Sequence, residues 1–356
     1  MTNGTKSSIL EDMRILAIET SCDETAFAVV TASGGKTKPV FVVEKNLITT
    51  QIKVHQPWGG VVPNLAKREH IKNLPKMFAR LGLSKNLQEI DSIAVTVGPG
   101  LSPALWQGIE FAKKLGEKHK KPLLGVNHLE GHLYSILLSG TEKVSTVSFP
   151  AVGISVSGGH TNIVVLQNLL TPKIIGQTRD DAAGEAFDKV GKMLSLPYPG
   201  GPEIEKQARM GDSKAIHFPR PMLLDDNYEF SFSGLKTSVL YYLRNLKKEN
   251  KRLTLKRKAD ICASFQEAAV DVLTKKTARA AKEYKAKSLF LCGGVSANKT
   301  LQQAFQKIAG EYNIPLFIPP KDFNTDNAAM IAAAAYINTL KKKNFKMEAN
   351  ANLSIE

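Results

Sequence analysis

His128 and His132 stand four positions apart in the segment GVNHLEGHLYS (125–135), directly after an apolar run. Residues at i and i+4 share one face of an α-helix, so both imidazoles can reach a single ion. The helix would begin at the carboxyl end of a strand, where ligands bind in open α/β sheets, and this favours a metal site over two structural histidines. Asn127 is a suitable N-cap for the helix, with Glu130 as its capping-box partner.

The nearby glutamate tests whether the histidine pair belongs to a zinc peptidase. In that class the general-base glutamate follows the first histidine directly. Here Leu129 occupies that position and the glutamate is Glu130. Because each helical residue turns by about 100°, Glu130 points away from the pair. The sequence therefore favours a metal site and disfavours the peptidase mechanism.

Two histidines need a further ligand to complete a metal site. Asp326 in NTDNAAMI (324–331) follows a predicted strand and precedes an alanine-rich helix. Taken alone, Asp326 is better explained as the cap of that helix. The histidine pair, which lacks an oxygen ligand, makes Asp326 the candidate for the third position.

Four glycine-rich turns could bind phosphate oxygens through backbone N–H groups. Gly-Gly alone usually marks only a turn, but four such loops suggest a nucleotide held between two lobes. Neither a P-loop nor a Rossmann fingerprint occurs. The four turns are VSGGHT (156–161), GPGLS (98–102), CGGVSAN (292–298) and YPGGPEIEK (198–206).

Three carboxylates are candidates to face such a nucleotide. Asp23 and Glu24 lie at the tip of a predicted hairpin, and Asp188 lies in GEAFDKVGKML (184–194). Considered one at a time, the first two are better explained as charges of a solvated turn. Asp188 alone is better explained as a charge on a helix surface.

Two similar hairpins indicate a duplicated fold. RILAIET (14–20) and TAFAVVT (25–31) flank one polar turn, and the second copy follows when Ser21 is aligned with Ser157. Alternating strands and helices come after each hairpin, which is typical of sheets with helices on their faces. The second copy consists of AVGISVS (151–157), the turn GGH and TNIVVLQ (161–167).

We therefore expect two related α/β lobes. The N-terminal lobe comprises residues 12–148 plus 326–342 and holds the histidine pair. The C-terminal lobe comprises residues 149–325, with a mainly helical insertion at about 180–280. Residues 343–356 have little periodicity, so we expect a flexible tail.

Composition limits the class of protein. The 356 residues are 43% hydrophobic and 23% charged, as in globular proteins, and no apolar run reaches the ~20 residues of a membrane span. Three distant cysteines and the lack of a signal peptide predict a cytoplasmic location. The net charge of +15 favours a polyanion such as nucleic acid only slightly over a lysine-rich surface that serves solubility. Eight basic residues against one acid in RNLKKENKRLTLKRK (244–258) are a candidate phosphate-backbone contact.

Ten motifs in fixed order resemble the TsaD family of tRNA N6-adenosine threonylcarbamoyltransferases, once labelled O-sialoglycoprotein endopeptidases. They extend over about residues 14 to 340, and SCDET, SGGHT and GVSAN are similar to the bacterial and organellar branch. Two features depart from the family: Asn64 stands where Glu follows GGVVP, and the tail lacks the usual ending. The motifs are ETSCDETA, GGVVPNLAKREH, GPGLSPAL, NHLEGHL, VSGGHT, GEAFDKVGKML, YPGGP, FSFSGLKT, CGGVSAN and TDNAAMI.

The resemblance implies an α/β actin-like ATPase (ASKHA) fold, with two duplicated RNase H-like lobes and a nucleotide cleft between them. It implies transfer of threonylcarbamoyl from threonylcarbamoyl-AMP to N6 of the adenosine 3′ to the anticodon, in tRNAs that read ANN codons (t6A biosynthesis). ATP or ADP could occupy the same cleft. The implied partners are tRNA, a paralogous TsaB-like subunit, a TsaE-like ATPase and a TsaC-like enzyme that supplies the adenylate.

The resemblance also implies roles for site residues. His128, His132 and Asp326 would hold one divalent metal, iron or zinc first and Mg²⁺ as an alternative. Asp23 or Glu24 would guide the amine or accept its proton. Residues implied to contact the nucleotide are Ser157, Gly158, Gly159, His160, Thr161, Asp188, Gly201, Glu205 and Asn298.

Three alternatives stay open at this point. A metallopeptidase would cleave a protein substrate. A small-molecule kinase of the same fold would phosphorylate its substrate from ATP and would not need the histidine pair. A nucleotide-gated scaffold would bind tRNA and form no product.

Overall fold

The computed structural model describes residues 12–83, 87–138 and 147–355. The strands are β1 (Met13–Glu19), β2 (Glu24–Ser33), β3 (Val40–Thr50), β4 (Ser92–Gly98), β5 (Leu123–Asn127), β6 (Ala151–Val156), β7 (Thr161–Leu166), β8 (Pro172–Gln177), β9 (Ser288–Cys292) and β10 (Leu316–Phe317). The helices are α1 (Ile52–His55), α2 (Pro63–Arg80), α3 (Ser102–His119), α4 (His128–Tyr134), α5 (Ala183–Met193), α6 (Gly200–Ala208), α7 (Ser233–Lys248), α8 (Leu255–Glu283), α9 (Lys299–Tyr312) and α10 (Ala328–Leu340). Short 3₁₀ turns occupy Gln56–Trp58, Ser135–Leu137, Gly294–Ala297 and Lys321–Phe323.

The strands form two five-stranded mixed sheets with the same topology. The first has the order β3-β2-β1-β4-β5 and the second β8-β7-β6-β9-β10. In both, the first hairpin is antiparallel and its first strand pairs in parallel with the fourth. Because both sheets have the same strand order, the structure confirms the predicted duplication, and it also contains both predicted hairpins. The division into lobes at residues 148 and 326 stays a prediction.

The pairing in the first sheet brings three strand ends to one edge. In β1 and β4, Ile18 lies opposite Val95, and in β4 and β5, Thr96 lies opposite Val126. All three strands run parallel, so their carboxyl ends meet at this edge. The residues that follow β1 and β5 are therefore neighbours in space although they are more than 100 positions apart in the sequence.

Helix α10 covers one face of this sheet and helps to form its core. Alanine is its commonest residue, its side chains are almost all buried, and the helix packs on β1, β2 and α4. Small side chains let a helix lie close to a sheet, because no long chain holds the two backbones apart. Among the described residues, none of the helices has the length and apolar character needed to cross a bilayer.

Edge strands β3 and β8 and helices α1 and α2 were not predicted from the sequence. Edge strand β3 mixes exposed and half-buried residues, so it lacks the alternation that marks a half-buried strand. Edge strand β8 is short and begins with Pro172. Helix α2 begins with Pro63 at its first position, where proline is well tolerated, but it also contains Pro75 in its interior.

The C-terminal segment, expected to be a flexible tail, is packed against the first sheet through residue 355. Phe345 bridges Gly125 of β5, and the Asn350 N–H donates to the carbonyl of Val97 at 2.8 Å. Ile355 is only 6% exposed. Single residues make these contacts, two of them through the backbone, so the segment shows no periodicity that could reveal its packing.

Candidate metal centre

His128, His132 and Asp326 lie together in the structure. One ligand atom from each is within 4.8 Å of the other two. Asp326 Oδ1 is 3.1 Å from His132 Nε2 and 3.5 Å from His128 Nε2. The two imidazole rings are 4.6 Å apart between centroids. The structure thus brings together residues that the sequence separates by almost 200 positions.

Helix α4 begins at His128 because Asn127, the last residue of β5, caps it. The Asn127 Oδ1 accepts hydrogen bonds from the N–H groups of Leu129 at 2.8 Å and Glu130 at 3.4 Å, as predicted. The predicted capping-box role of Glu130 is wrong. Its buried carboxylate instead accepts from Asn338 Nδ2 at 2.7 Å and forms an ion pair with Lys341 at 3.4 Å.

These contacts also settle the direction of Glu130. Both of its partners lie at the end of α10 or just after it, so the carboxylate is bound away from the face of α4 that carries His128 and His132. A glutamate held in this way cannot serve as the general base of a peptidase, as the sequence predicted.

Asp326 is not the cap of α10. The following residue, Asn327, caps the helix by accepting a hydrogen bond from the N–H of Met330 at 2.9 Å. The alternative explanation of Asp326 from sequence is therefore wrong. Its carboxylate stays available to the histidines.

The three side chains fit a divalent metal. His132 is fully buried; its Nε2 faces Asp326 Oδ1 at 3.1 Å, and its Nδ1 has no hydrogen-bond partner among the described residues. An unpaired buried polar atom costs about 1–3 kcal/mol, so the arrangement is unfavourable unless another group pairs with it. Two imidazole nitrogens and a carboxylate oxygen are a donor set that suits zinc and ferrous iron.

The electrostatics of the cluster agree with a cation site. Burial alone would lower the pKa of His128, but the Asp326 and Glu19 carboxylates raise it to about 9. Burial alone would raise the pKa of Asp326, and the positive charge available from His128 and His132 lowers it instead. The site therefore favours a negative carboxylate beside a positive charge.

Glu19 is a buried carboxylate of this site that the sequence analysis did not identify. It ends β1, is fully buried, and its Oε2 lies 3.1 Å from His128 Nδ1. Ser21 Oγ lies 3.2 Å from the same nitrogen. A carboxylate directly after the apolar run ILAI (15–18) was a signal that could have revealed it.

Asp23 lies on the turn after β1, and Glu24 begins β2. Asp23 is only 8% exposed, so it is not a charge of a solvated turn. Burial, and then the Asp23 and Asp326 carboxylates, raise the pKa of Glu24 well above its ordinary value. The Thr50 hydroxyl donates to Glu24 Oε1 at 3.2 Å.

A buried histidine network supports this turn from behind. His70 Nε2 donates to the Cys22 carbonyl at 2.9 Å, and its Nδ1 accepts from the Thr25 hydroxyl at 2.8 Å. The Gln51 N–H donates to the Asp23 carbonyl at 2.9 Å. The Cys22 carbonyl can only accept a hydrogen bond, so the proton of neutral His70 lies on Nε2.

The 157–160 turn of the second hairpin meets the histidines of the first half. Gly158 and Gly159 are exposed, and no atom lies within 4 Å of the place where a Cβ would stand. Ser157 Oγ accepts from the His160 N–H at 3.1 Å and orders the turn. Burial, and then His128 and His132, lower the pKa of His160 to about 4.

Thr161 takes a structural position at the start of β7. It is fully buried, and its hydroxyl accepts from the Ala183 N–H at 3.0 Å. This bond fixes the start of α5 beside the turn.

Asp188 and Gly201 meet where α5 packs on α6. The Asp188 Oδ1 accepts from the N–H groups of Gly200 at 2.7 Å and Gly201 at 3.4 Å. Burial raises the pKa of Asp188 to about 6 in spite of these bonds. Asp188 is therefore not a free helix-surface charge.

Glu205 of α6 contacts the start of α9, where Asn298 is the cap. The Glu205 Oε1 accepts from the Lys299 N–H at 3.0 Å, and Asn298 caps the helix by accepting from the Leu301 N–H at 3.0 Å. Asn298 Nδ2 donates to Gln266 at 2.8 Å. Their side chains thus join α6, α8 and α9 around one end of the second sheet.

Electrostatic interactions connect the acidic residues of the first half of the chain with those of the second half. Asp23 from the first half contributes to the raised pKa of Asp188 in the second. Burial, and then Asp23 and Asp188, also raise the pKa of Tyr198, which the sequence analysis did not identify. The acidic turn after β1 therefore faces α5 and the YPGGP turn.

The family comparison agrees with this geometry. A family model described as TsaD, tRNA N6-adenosine threonylcarbamoyltransferase, matches residues 42–333. The chain belongs to the TsaD family.

Curated relatives support that assignment along the whole length. The tRNA N6-adenosine threonylcarbamoyltransferase of Moorella thermoacetica is 46% identical over 344 residues, which cover 96% of each chain. The protein of the same name from Thermosipho africanus is 45% identical over 349 residues, 96% of this chain and 100% of that one. The peptidase and kinase alternatives gain no support from these TsaD relatives.

Solved structures confirm the fold. Full-length HypF in its phosphate- and nucleotide-bound form matches with a TM-score of 0.57 at 14% identity, over 93% of this chain and 47% of that one. HypF of T. kodakarensis matches with a TM-score of 0.57 at 15% identity, over 94% and 49%. The chain thus spans about half the length of either HypF. Together with TsaD membership and the two repeated sheets, this likeness confirms the predicted actin-like α/β fold.

Proposed function

We propose that the chain is a tRNA N6-adenosine threonylcarbamoyltransferase. It would transfer threonylcarbamoyl from threonylcarbamoyl-AMP to N6 of the adenosine 3′ to the anticodon in tRNAs that read ANN codons. The observation that carries the proposal is 46% identity to an enzyme of that name over 96% of both chains. The clustered histidines and aspartate give that activity a place in the fold.

His128, His132 and Asp326 would hold one divalent cation, iron or zinc. Imidazole nitrogens favour these metals over Mg²⁺, which prefers oxygen donors. When bound, the cation supplies Lewis-acid polarisation of a phosphoryl oxygen. The buried Nε2 of His132, which lies 3.1 Å from Asp326 Oδ1, supports this assignment.

The 157–160 turn would bind the phosphate of the adenylate. Gly158 and Gly159 leave open space beside their backbone N–H groups, which suits a close approach by an anion. Ser157 and Thr161 would fix the shape of the turn. His160 is neutral at pH 7, because its pKa lies near 4, so it can form a hydrogen bond without adding charge.

The remaining predicted contacts lie on the second half and would hold the rest of the nucleotide. Asp188 and Gly201 stand where α5 meets α6, Asn298 caps α9, and Glu205 of α6 contacts the first N–H of that helix. Carboxylate oxygens accept hydrogen bonds from sugar hydroxyls, which is the contact we assign to Asp188.

The reaction needs no protein nucleophile, because the carbamoyl–phosphate anhydride is already activated. The N6 amine attacks the carbamoyl carbon, a C–N bond forms, and the bond from that carbon to the phosphate oxygen breaks to release AMP. The amine loses one proton. Glu24, with Asp23 beside it, would accept that proton, since a raised pKa makes its carboxylate a stronger base.

The proposed partners follow from the substrate and the family branch. tRNA is the acceptor, and the exposed basic residues of 244–258 would contact its phosphates. A TsaB-like paralogue and a TsaE-like ATPase would join the chain, and a TsaC-like enzyme would supply the adenylate. A tRNA substrate and the expected bacterial host make the cytoplasm the proposed location.

The test is reconstitution of the modified nucleoside. Purified protein is incubated with tRNA, threonine, bicarbonate, ATP and the TsaC-like enzyme, with and without TsaB-like and TsaE-like proteins, and digested tRNA is analysed by mass spectrometry. We expect t6A with the wild type and with Glu130→Gln, and none with His132→Ala. Failure to form t6A with all components present refutes the proposal.

A further inference from the structure

Glu19 makes three contacts at the sheet edge that carries the metal cluster. Its Oε1 accepts a short hydrogen bond from the Ser21 N–H. Its Oε2 accepts from the Thr96 hydroxyl at 2.6 Å and lies 3.1 Å from His128 Nδ1. The ends of β1, β4 and β5 supply Glu19, Thr96 and His128, so the sheet itself fixes this arrangement.

These contacts determine which nitrogen of His128 carries a proton. An ionised carboxylate can only accept, so the proton in this contact belongs to Nδ1. The other nitrogen, Nε2, is the one that faces Asp326 at 3.5 Å. With Nδ1 protonated, the lone pair of the neutral imidazole lies on Nε2, on the side of His132 and Asp326.

We propose that Glu19 is the positioning residue of the metal centre, holding His128 in the tautomer and orientation that bind a divalent cation through Nε2. The proposal rests on the proposed metal site of the transferase. Carboxylates that orient a metal-binding histidine typically change metal affinity by about 10–100-fold when they are mutated. His132 lacks a partner of this kind among the described residues, so the orientation of the pair depends on Glu19.

The chain supplies a matched control in Glu130. Both glutamates are fully buried, and Glu130 lies on α4 between the two histidines. Its carboxylate, however, pairs with Asn338 and Lys341 and does not contact either imidazole. A general effect of removing a buried charge near the site should therefore appear in both variants, whereas a positioning effect should appear only at Glu19.

The experiment measures Zn²⁺ affinity of the full chain after metal removal, by competition with a chromophoric chelator. We expect Glu19→Gln to bind Zn²⁺ about 10–100-fold more weakly than the wild type, and Glu130→Gln to bind within about twofold. The visible spectrum of the Co²⁺-loaded protein should shift in Glu19→Gln and not in Glu130→Gln. Thr96→Val keeps the carboxylate but removes one of its donors, so we expect a smaller loss of a few fold.

The outcomes separate the inference from the proposed function. A wild type that binds no Zn²⁺ overturns the metal site itself. Binding by the wild type with less than about threefold loss in Glu19→Gln, or with equal losses in both glutamine variants, overturns only the role of Glu19. If Glu19→Gln does not fold, Thr96→Val decides, and unchanged affinity and an unchanged Co²⁺ spectrum in that variant overturn the proposal.

Discussion

Replacing His132 with phenylalanine separates the free-energy cost of the metal-free site from the stability that a bound metal adds. The imidazole is fully buried, and its Nδ1 has no partner among the described residues, which costs about 1–3 kcal/mol. Phenylalanine fills the same space without polar atoms. Against this gain stand slight overpacking, about 1–3 kcal/mol, and loss of the 3.1 Å contact with Asp326. The two effects oppose each other, so we expect His132→Phe to lie within about 2 kcal/mol of the wild type when metal is absent.

Added Zn²⁺ should stabilise the wild type more than it stabilises His132→Phe. A ligand at 100 times its dissociation constant stabilises the native state by about 2.7 kcal/mol. The wild type should gain that amount from Zn²⁺, whereas His132→Phe, without one of three ligands, should gain less than about 0.5 kcal/mol at the same concentration. Urea unfolding with chelator and with Zn²⁺ measures both quantities. The reasoning is refuted if the metal-free variant loses more than about 3 kcal/mol, or if Zn²⁺ stabilises both proteins equally.

Three further predictions concern other parts of the chain. In Gly200→Ala the new Cβ would stand 2.8 Å from the Asp188 Cα, so urea unfolding should show a loss of about 1–3 kcal/mol, while Gly310→Ala, with open space, should show none. Burial raises the pKa of Asp188 from 3.8 to about 6. Its contribution to the free energy of unfolding is therefore fully present below pH 4, and it is lost as the pH rises through 6. Relative to Asp188→Asn, the wild type should lose up to about 3 kcal/mol of unfolding free energy between pH 4 and 7. Glutamine in place of the exposed Lys247, Lys248 and Arg252 should weaken tRNA binding. The slope of log K against log salt concentration should become shallower by up to about 0.9 per lost phosphate contact, while the melting temperature of the protein stays unchanged.

The sequence predicted those features that follow from local patterns. The hairpins showed apolar runs around polar turns, and the histidine pair showed helical spacing after a strand. Asp326 could be proposed because it precedes a helix, but only the structure shows that Asn327 takes the cap and leaves it for the histidines. Family resemblance supplied the nucleotide contacts, which spacing alone did not.

Features that depend on distant contacts were not predictable in the same way. Glu19 contacts His128 through a pairing of strands more than 70 positions apart, and nothing near Glu19 in the sequence specifies that partner. The direction of Glu130 away from the histidines was predicted from helix geometry, yet its partners on and after α10 were not. The C-terminal segment was misjudged because its contacts are made by single residues without a repeat.

The packed C-terminal segment has a practical consequence for handling the protein. Asn127 uses its Oδ1 to cap the histidine helix, while its Nδ2 donates to the Ser354 carbonyl at 2.8 Å. Anchoring the chain to a surface through its C-terminus would therefore pull on the amide that starts α4. An affinity tag is better attached at the N-terminus, because enzymatic trimming of the last residues would remove the Ser354 contact of Asn127, next to the imidazoles.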